Sequence, residues 1–371
     1  MTTPRSPNKT PGSLTVNLGI SAATVILFLL FFEFVVFRFV MPGSDVPRNA
    51  FVNDIVRYEP NQKGIWRVRD EISAPYAINA QGWNSGLGDY AVERKPGVMR
   101  VAVVGDSNVE AFQVRYDASL GEHLARNLEK QLSQPVEVYR FAIGGAPLSQ
   151  YLHMIEREVL RYKPDWIVVL LIHNDFDESF EFVPGRYTSS FLKLKIEDAK
   201  VVGEIQPSPW RAGPADWLRH TATLRFFYYR WQVRAESLKS LFIASARATD
   251  AGVATLLPKR EDIRTATEYI FRRIADAARR GGARLQVAID GDRSAIYAGQ
   301  TTSAFLALNA IAAEKAEKVG ISFLDLHSVF QADWQAHKMK LDFVNDYHLN
   351  ERGHALAGEA IARAMQRPSA R

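Results

Sequence analysis

The sequence predicts an α/β protein: a doubly wound, flavodoxin-like sandwich with a five-stranded, mostly parallel sheet, preceded by one N-terminal transmembrane helix. Three observations carry this expectation. Five short runs are rich in Val, Ile, Leu or aromatics, and most of them lack the clean alternation of half-exposed strands, as expected for strands buried on both faces. Stretches with apolar residues at helical spacing fill the gaps between them. Residues 20–40 are apolar except for Glu33 and Arg38.

The N-terminal run is the first element. No charge occurs from Thr10 to Phe32, which is long enough to cross a bilayer as a helix. A secretory signal has a shorter apolar region and a small-residue cleavage site, whereas bulky Phe and Val continue here to Met41-Pro42-Gly43. The run therefore reads as an uncleaved anchor over residues 18–40, behind a cytoplasmic tail of residues 1–17. Arg5, Lys9 and the terminal amine favour a cytoplasmic N-terminus, which places the rest of a single-pass chain on the periplasmic side of the inner membrane. Glu33 either faces a partner helix or snorkels near the end of the span beside Arg38.

Residues 44–95 read as an extended, turn-rich linker with Pro47, Pro60, Gly64, Pro75, Gly82, Gly86 and Gly88, in which 76–83 form a short strand and turn. The main domain spans residues 96–366. Strands are predicted at 100–104, 136–141, 166–172, 284–289 and 322–326. The first long helix is 120–132, with Leu120, Leu124, Leu128 and Leu132 on one face. Helices at 149–162, 266–279 and 303–318 follow, and Asn350 is placed to cap a last helix over 351–365. Residues 177–262 form an insertion containing Pro207-Ser208-Pro209-Trp210 and Phe226-Phe227-Tyr228-Tyr229-Arg230-Trp231. It is expected to be a helical excursion covering a sheet edge; a substrate lid and a piece lying on the membrane are the alternatives.

Composition narrows the function. Hydrophobic residues at 47% and charged residues at 23% of 371 describe a globular chain rather than a disordered one. The +5 balance is scattered along helical surfaces beside Glu, which argues against nucleic-acid binding. The absence of cysteine excludes disulfides, thiolate catalysis and cysteine metal sites, and suits an extracytoplasmic location.

In an open α/β sheet, functional groups gather beyond the carboxyl ends of the strands. The first strand ends in Gly105-Asp106-Ser107, the second leads to Ile143-Gly144-Gly145-Ala146, and the third ends in His173-Asn174-Asp175. Asp346-Tyr347-His348 precedes the last helix. A serine on a strand-to-helix turn with a distant Asp/His pair supplies the parts of an acyl-transferring triad, because a neutral hydroxyl needs a base and the base an orienting acid.

These four blocks resemble, in order and spacing, those of the SGNH (GDSL-type) hydrolase superfamily, over roughly residues 100–365. The strings Ile78-Asn79-Ala80-Gln81-Gly82 and His348-Leu349-Asn350-Glu351-Arg352-Gly353-His354 are similar to a bacterial membrane-anchored branch that accompanies envelope polysaccharide metabolism. Two departures, Ile172-His173 before Asn174 and Asn108-Val109-Glu110-Ala111 after Ser107, bear on the substrate. The resemblance implies Ser107 as nucleophile, His348 as base and Asp346 as its acid. It implies an oxyanion hole from the Ser107 and Gly145 N–H groups and the Asn174 amide. Asp342 and Asn345 are rivals for the acid. The activity implied is an esterase acting on an acylated glycan or other envelope ester, without cofactor or metal. An O-acyltransferase with the same triad and a non-catalytic envelope subunit are the alternatives. Asp175 is expected to brace its turn, His354 to pack, and Asp290-Gly291-Asp292 to form a turn rather than a cation loop.

Overall fold

A computed structural model describes residues 11–233 and 259–366. Residues 1–10 of the expected tail, with Arg5 and Lys9, and residues 234–258 of the insertion lie outside the described residues. The first element is the apolar helix α1 (Pro11–Phe31), which continues as a π-helical stretch from Phe32 to Val40. Leu14–Val40 is long and apolar enough to cross a membrane, and most of its side chains are exposed.

Two antiparallel hairpins come next: β1 (Asn49–Val52) with β2 (Ile55–Tyr58), and β3 (Lys63–Val68) with β4 (Ile72–Ala77). The 44–95 segment is thus folded, not extended. Asn53 and Asp54 both have positive φ (54° and 59°), as the tight turn between β1 and β2 requires. Trp83 is fully buried, and its ring meets Phe141 edge-on at 5.5 Å. Tyr90 stacks on Tyr139 at 4.1 Å. Arg57 pairs with Glu158 at 3.0 Å, both side chains almost fully withdrawn from solvent. Gly64 and Pro75 lie inside the paired strands β3 and β4, and the aromatics Tyr58, Tyr76, Trp83 and Tyr90 enter the core of the domain.

The main sheet uses β5 (Met99–Gly105), β6 (Val136–Ala142), β7 (Trp166–Leu171), β10 (Arg284–Ile289) and β11 (Ser322–Asp325), with the hairpin β8 (Lys193–Glu197) and β9 (Lys200–Ile205) lying outside it. Its order is β11-β10-β7-β5-β6, with every neighbouring pair parallel. The chain leaves β5 in one direction to β6 and afterwards in the other to β7, so the order reverses between β5 and β7. A crevice opens at such a reversal.

Both faces of the sheet are covered. Between β5 and β6 run α2 (Ser107–Glu110) and α3 (Leu120–Leu132); α4 (Leu148–Arg157) follows β6. The insertion holds α5 (Pro214–Arg219) and α6 (Ala222–Leu224), and α7 (Arg260–Arg280) leads into β10. Then come α8 (Arg293–Ala298), α9 (Ala304–Val319), α10 (Leu326–His337) and α11 (Glu351–Ala364). Ala102, Val104, Ile167, Val169 and Leu171 point to the layer of α4, α7 and α9. Val101, Val103, Val168 and Leu170 point to the layer of α3, α10 and α11. Successive side chains on β5 and β7 therefore meet two apolar layers, which is why 101–104 and 166–171 read as continuous apolar runs.

The insertion differs from the expected edge-covering helix. Its β8–β9 hairpin packs over α4 and α7, with Leu192 and Leu194 joining the core. Its α6 and the π-helical Arg225–Arg230 pack against the end of the apolar N-terminal helix.

Candidate active site

β5 delivers the serine. A Cβ on Gly105 would lie 2.5 Å from Val109 Cγ2 and 3.1 Å from the Leu170 carbonyl, so the sharp exit of the strand requires glycine. Asp106 caps α2: its carboxylate accepts the Asn108 N–H at 3.1 Å and the Ser107 hydroxyl at 3.0 Å. Burial pushes the Asp106 carboxyl up, opposed by the Asn108 N–H and by the nearby His348 ring. Ser107 opens the helix, so its N–H has no intrahelical acceptor, and it points toward the Asp106 carboxylate.

His348 arrives from the loop between α10 and α11. Asp346 Oδ1 accepts the His348 backbone N–H at 2.9 Å and makes a very close contact with ring Nδ1. A carboxylate at Nδ1 holds the proton there and leaves Nε2 as the lone-pair nitrogen. His348 Nε2 is buried and has no hydrogen-bond partner among the described residues. The Tyr347 ring stacks on the imidazole at 4.4 Å, and the Gln113 amide lies 3.1 Å from Nδ1. The next N–H in the chain, that of Leu349, donates to Asn108 Oδ1 at 3.2 Å and ties the histidine loop to the serine helix.

The rival acids are engaged elsewhere. Asp342 accepts the Tyr297 hydroxyl at 2.6 Å. Asn345 donates its backbone N–H and side-chain amide to Glu71 at 2.8 and 3.0 Å.

Gly145 has φ of +76° and no atom within 4 Å of where a Cβ would stand. Its glycine therefore answers to backbone conformation and leaves open space. The preceding N–H, of Gly144, donates to Glu110 Oε1 at 3.1 Å, and a Cβ on Gly144 would lie 3.7 Å from Ser107 Cβ. Asn174 is exposed on the turn after β7, its amide nitrogen 3.4 Å from Glu178 Oε1. Asp175 is buried and accepts the Ile172 N–H at 2.8 Å; burial pushes its carboxyl far up. It braces that turn.

Two clefts adjoin these residues. One of about 430 Å³ is lined by Asn108, Ile172, Asn174 and Tyr347. The other, of about 950 Å³, is lined by Asp346, Tyr347 and His348 opposite Trp66, Arg186 and Tyr229.

Sequence reading missed Glu110, Gln113 and Glu71. Glu110 carries no local signal, because its partners come from distant segments: the Tyr58 hydroxyl and the Gly144 N–H both donate to it. Burial pushes its carboxyl up to about 8, which keeps it largely neutral at pH 7. His354 is fully buried, and its Nδ1 accepts the Leu120 N–H at 3.2 Å; burial lowers its pKa to about 3. Asp290 pairs with Arg293 and accepts the Gly291 N–H, while Asp292 caps α8. Among the described residues no group of three or more His, Asp or Glu could hold a metal ion.

The sequence matches the GDSL-like Lipase/Acylhydrolase family over residues 103–356, well over half of the chain, and the protein belongs to that family. A comparison with curated proteins returns no match. Among solved structures, the chain is similar to a two-domain esterase active on acetylated mannans, with 11% identity and a TM-score of 0.41 over 72% of this chain and 49% of that one. It thus spans about half the length of that esterase. A variant of an acetyl-xylooligosaccharide esterase from Geobacillus Stearmophilus gives 11% identity and a TM-score of 0.40, over 74% of this chain and 96% of that one. The lipase/acylhydrolase from Enterococcus faecalis gives 13% and 0.39, over 74% and 99%.

Two predictions follow from the geometry. Asp346→Asn should lower ester turnover by about 10⁴-fold with the fold intact, whereas Asp342→Asn and Asn345→Ala should stay within about tenfold of the parent. Steady-state kinetics with circular dichroism as the folding control decide this, and equal losses at Asp342 or Asn345 would move the acid there. The second concerns Glu110, whose folded pKa lies above its ordinary value of 4.5. Its contribution to stability is fully present below that ordinary value and is lost as pH rises through about 8. Glu110→Gln cannot ionise, so its urea midpoint should gain on the parent's as pH is raised across that window. Midpoints that run parallel would show that Glu110 ionises freely in the folded protein.

Proposed function

We propose that the protein is a membrane-anchored serine esterase that removes acyl groups from an acylated glycan or other envelope component. The hydroxyl of Ser107 turns from Asp106 to His348 Nε2, gives up its proton and attacks the ester carbonyl. The tetrahedral oxyanion is met by the Ser107 and Gly145 N–H groups and the Asn174 amide. Collapse breaks the acyl C–O bond, and His348 returns the proton to the leaving alcohol. Water, deprotonated by the same imidazole, then releases the acid from Ser107. Asp346 holds the proton on Nδ1 and stabilises the imidazolium.

The single observation that carries this reading is the buried Nε2, without a partner among the described residues, of a histidine seated on a carboxylate and tied through Leu349 to the serine helix. A scaffold has no physical need for that arrangement. The wide cleft beside His348 favours a second reading, transfer of the acyl group to a sugar hydroxyl, since it is lined by Trp66, Tyr228 and Tyr229, side chains of the kind that pack on a pyranose. In both readings helix α1 is an uncleaved anchor in the inner membrane and the domain is periplasmic, supported by the basic residues before the helix and the absence of cysteine.

A fluorophosphonate should label the detergent-solubilised chain once, at Ser107. Labelling should vanish in Ser107→Ala and fall at least about a hundredfold in His348→Ala. Labelling at another residue, or no labelling together with no acyl-enzyme on any ester, would contradict the triad.

A further inference from the structure

One wall of the cleft beside His348 is also the seat of the apolar N-terminal helix. The aromatic run of the insertion divides its side chains between two tasks. Phe226 stacks on Phe37 at 4.7 Å and Phe227 meets the same ring edge-on at 5.4 Å. The next two residues, Tyr228 and Tyr229, line the cleft opposite Asp346 and His348. Consecutive Cα atoms are only about 3.8 Å apart, so the cleft begins within a few residues of the anchor.

The seat is rigid. Glu33 caps α6 from outside, its carboxylate accepting the Ala222 and Thr223 N–H groups at 2.6 and 2.9 Å and the Thr223 hydroxyl at 2.8 Å. Arg225 donates to the Ser44 carbonyl at 2.8 Å and pairs with Asp45. Arg230 donates to the Pro42 carbonyl at 2.8 Å and to Asp70 at 2.9 Å. A Cβ on Gly43 would lie 2.5 Å from the Arg225 backbone, so the two segments touch with no room for a side chain.

The depth of this seat follows from length. From Leu14 to Phe32 the helix spans about 28 Å at ~1.5 Å per residue, matching a hydrocarbon core of ~30 Å. The apolar run continues to Val40; with Leu14 at the far boundary, Glu33 and the polar backbone it caps stand where the helix leaves the hydrocarbon and the last turns lie in the headgroup region. Phe39, Val40, Trp217 and Leu218, on the π-helical stretch and on α5, are all more than half exposed. Apolar side chains of this kind, Trp above all, suit the boundary between headgroups and acyl chains.

We propose that the substrate is a lipid-borne ester, an acylated glycolipid whose sugar enters the cleft between Tyr229 and His348 from the bilayer surface. The proposal rests on the esterase reading of Ser107 and His348. A loosely tethered domain would sample many heights above the membrane; this one is fixed at a single height, which serves a substrate confined to that plane.

The test uses the full chain reconstituted in phosphatidylethanolamine/phosphatidylglycerol vesicles. The substrates are p-nitrophenyl acetate in solution and an O-acetylated dialkylglycerol glucoside embedded in the same vesicles. The double variant Glu33→Gln/Phe37→Ala loosens the seat without touching the cleft. It should keep activity on the soluble ester within about twofold, which also reports its folding, and lose at least about tenfold on the embedded one. Retained activity on the embedded glucoside, or equal losses on both substrates, would overturn the proposal. Absence of turnover of p-nitrophenyl acetate by the parent would instead remove the esterase reading beneath it. Because the chain has no cysteine, Trp217→Cys takes a single nitroxide. Its electron paramagnetic resonance in vesicles should show shielding from a water-soluble nickel chelate and access to oxygen. Full access to the chelate would place α5 away from the bilayer and also overturn the proposal.

Discussion

Everything assigned to this site depends on one hydrogen bond between segments 241 residues apart, from the Leu349 N–H to Asn108 Oδ1. Asn108 follows the serine in α2, and Leu349 follows the histidine. One bond of this kind contributes only about 1 kcal/mol to stability. Its importance is positional: it fixes the loop that carries His348 against the helix that carries Ser107. The loop is held on its other side by Glu71, which accepts the N–H groups of Val344 and Asn345 at 2.6 and 2.8 Å. Asn350 caps α11 through the Gly353 N–H at 3.0 Å and braces the same loop through the Asp342 carbonyl.

The sheet supplies the other half of the geometry. The reversal of strand order between β5 and β7 brings the turn after each strand to one crevice, so Ser107 and Asn174 arrive at the same end of the domain although a crossover through β6 separates them. The glycine loop after β6 is drawn to α2 by the buried Glu110, which in turn is held by Tyr58 of β2. The N-terminal hairpins are thus part of the support of the site. A neutral carboxyl suits that position, since an ionised one would place an unpaired charge in the interior.

Much of this was legible in the sequence. The five sheet strands and the ends of α3 could be read from apolar runs and leucine spacing, because the central strands β5 and β7 are buried on both faces and α3 buries one face; the order of the strands came only with the structure. Asp346 and His348 were legible because their partnership is local. What escaped reading depends on contacts between distant segments. Glu110 looks like an ordinary surface glutamate until Tyr58 and Gly144 meet it. The hairpins at 49–77 looked like a linker because their apolar residues are sparse and find their partners only in the folded core. Helix α10 was overlooked because it starts at Leu326, directly after β11, so strand and helix merge into one apolar stretch. The insertion's division of aromatic side chains between the apolar N-terminal helix and the cleft has no periodicity that could reveal it.

The central claim is that Ser107, Gly145, Asn174 and His348 surround one reacting carbon. A crystal structure of the full chain after reaction with an alkyl fluorophosphonate tests it most directly, because the covalent phosphonate imitates the tetrahedral intermediate. The account predicts phosphorus on Ser107 Oγ, with its unsubstituted oxygen within hydrogen-bond distance of the Ser107 and Gly145 N–H groups and the Asn174 amide, and His348 Nε2 facing the esterified oxygen. A phosphonyl oxygen directed to solvent or to other donors, or His348 turned away from Ser107, would contradict it.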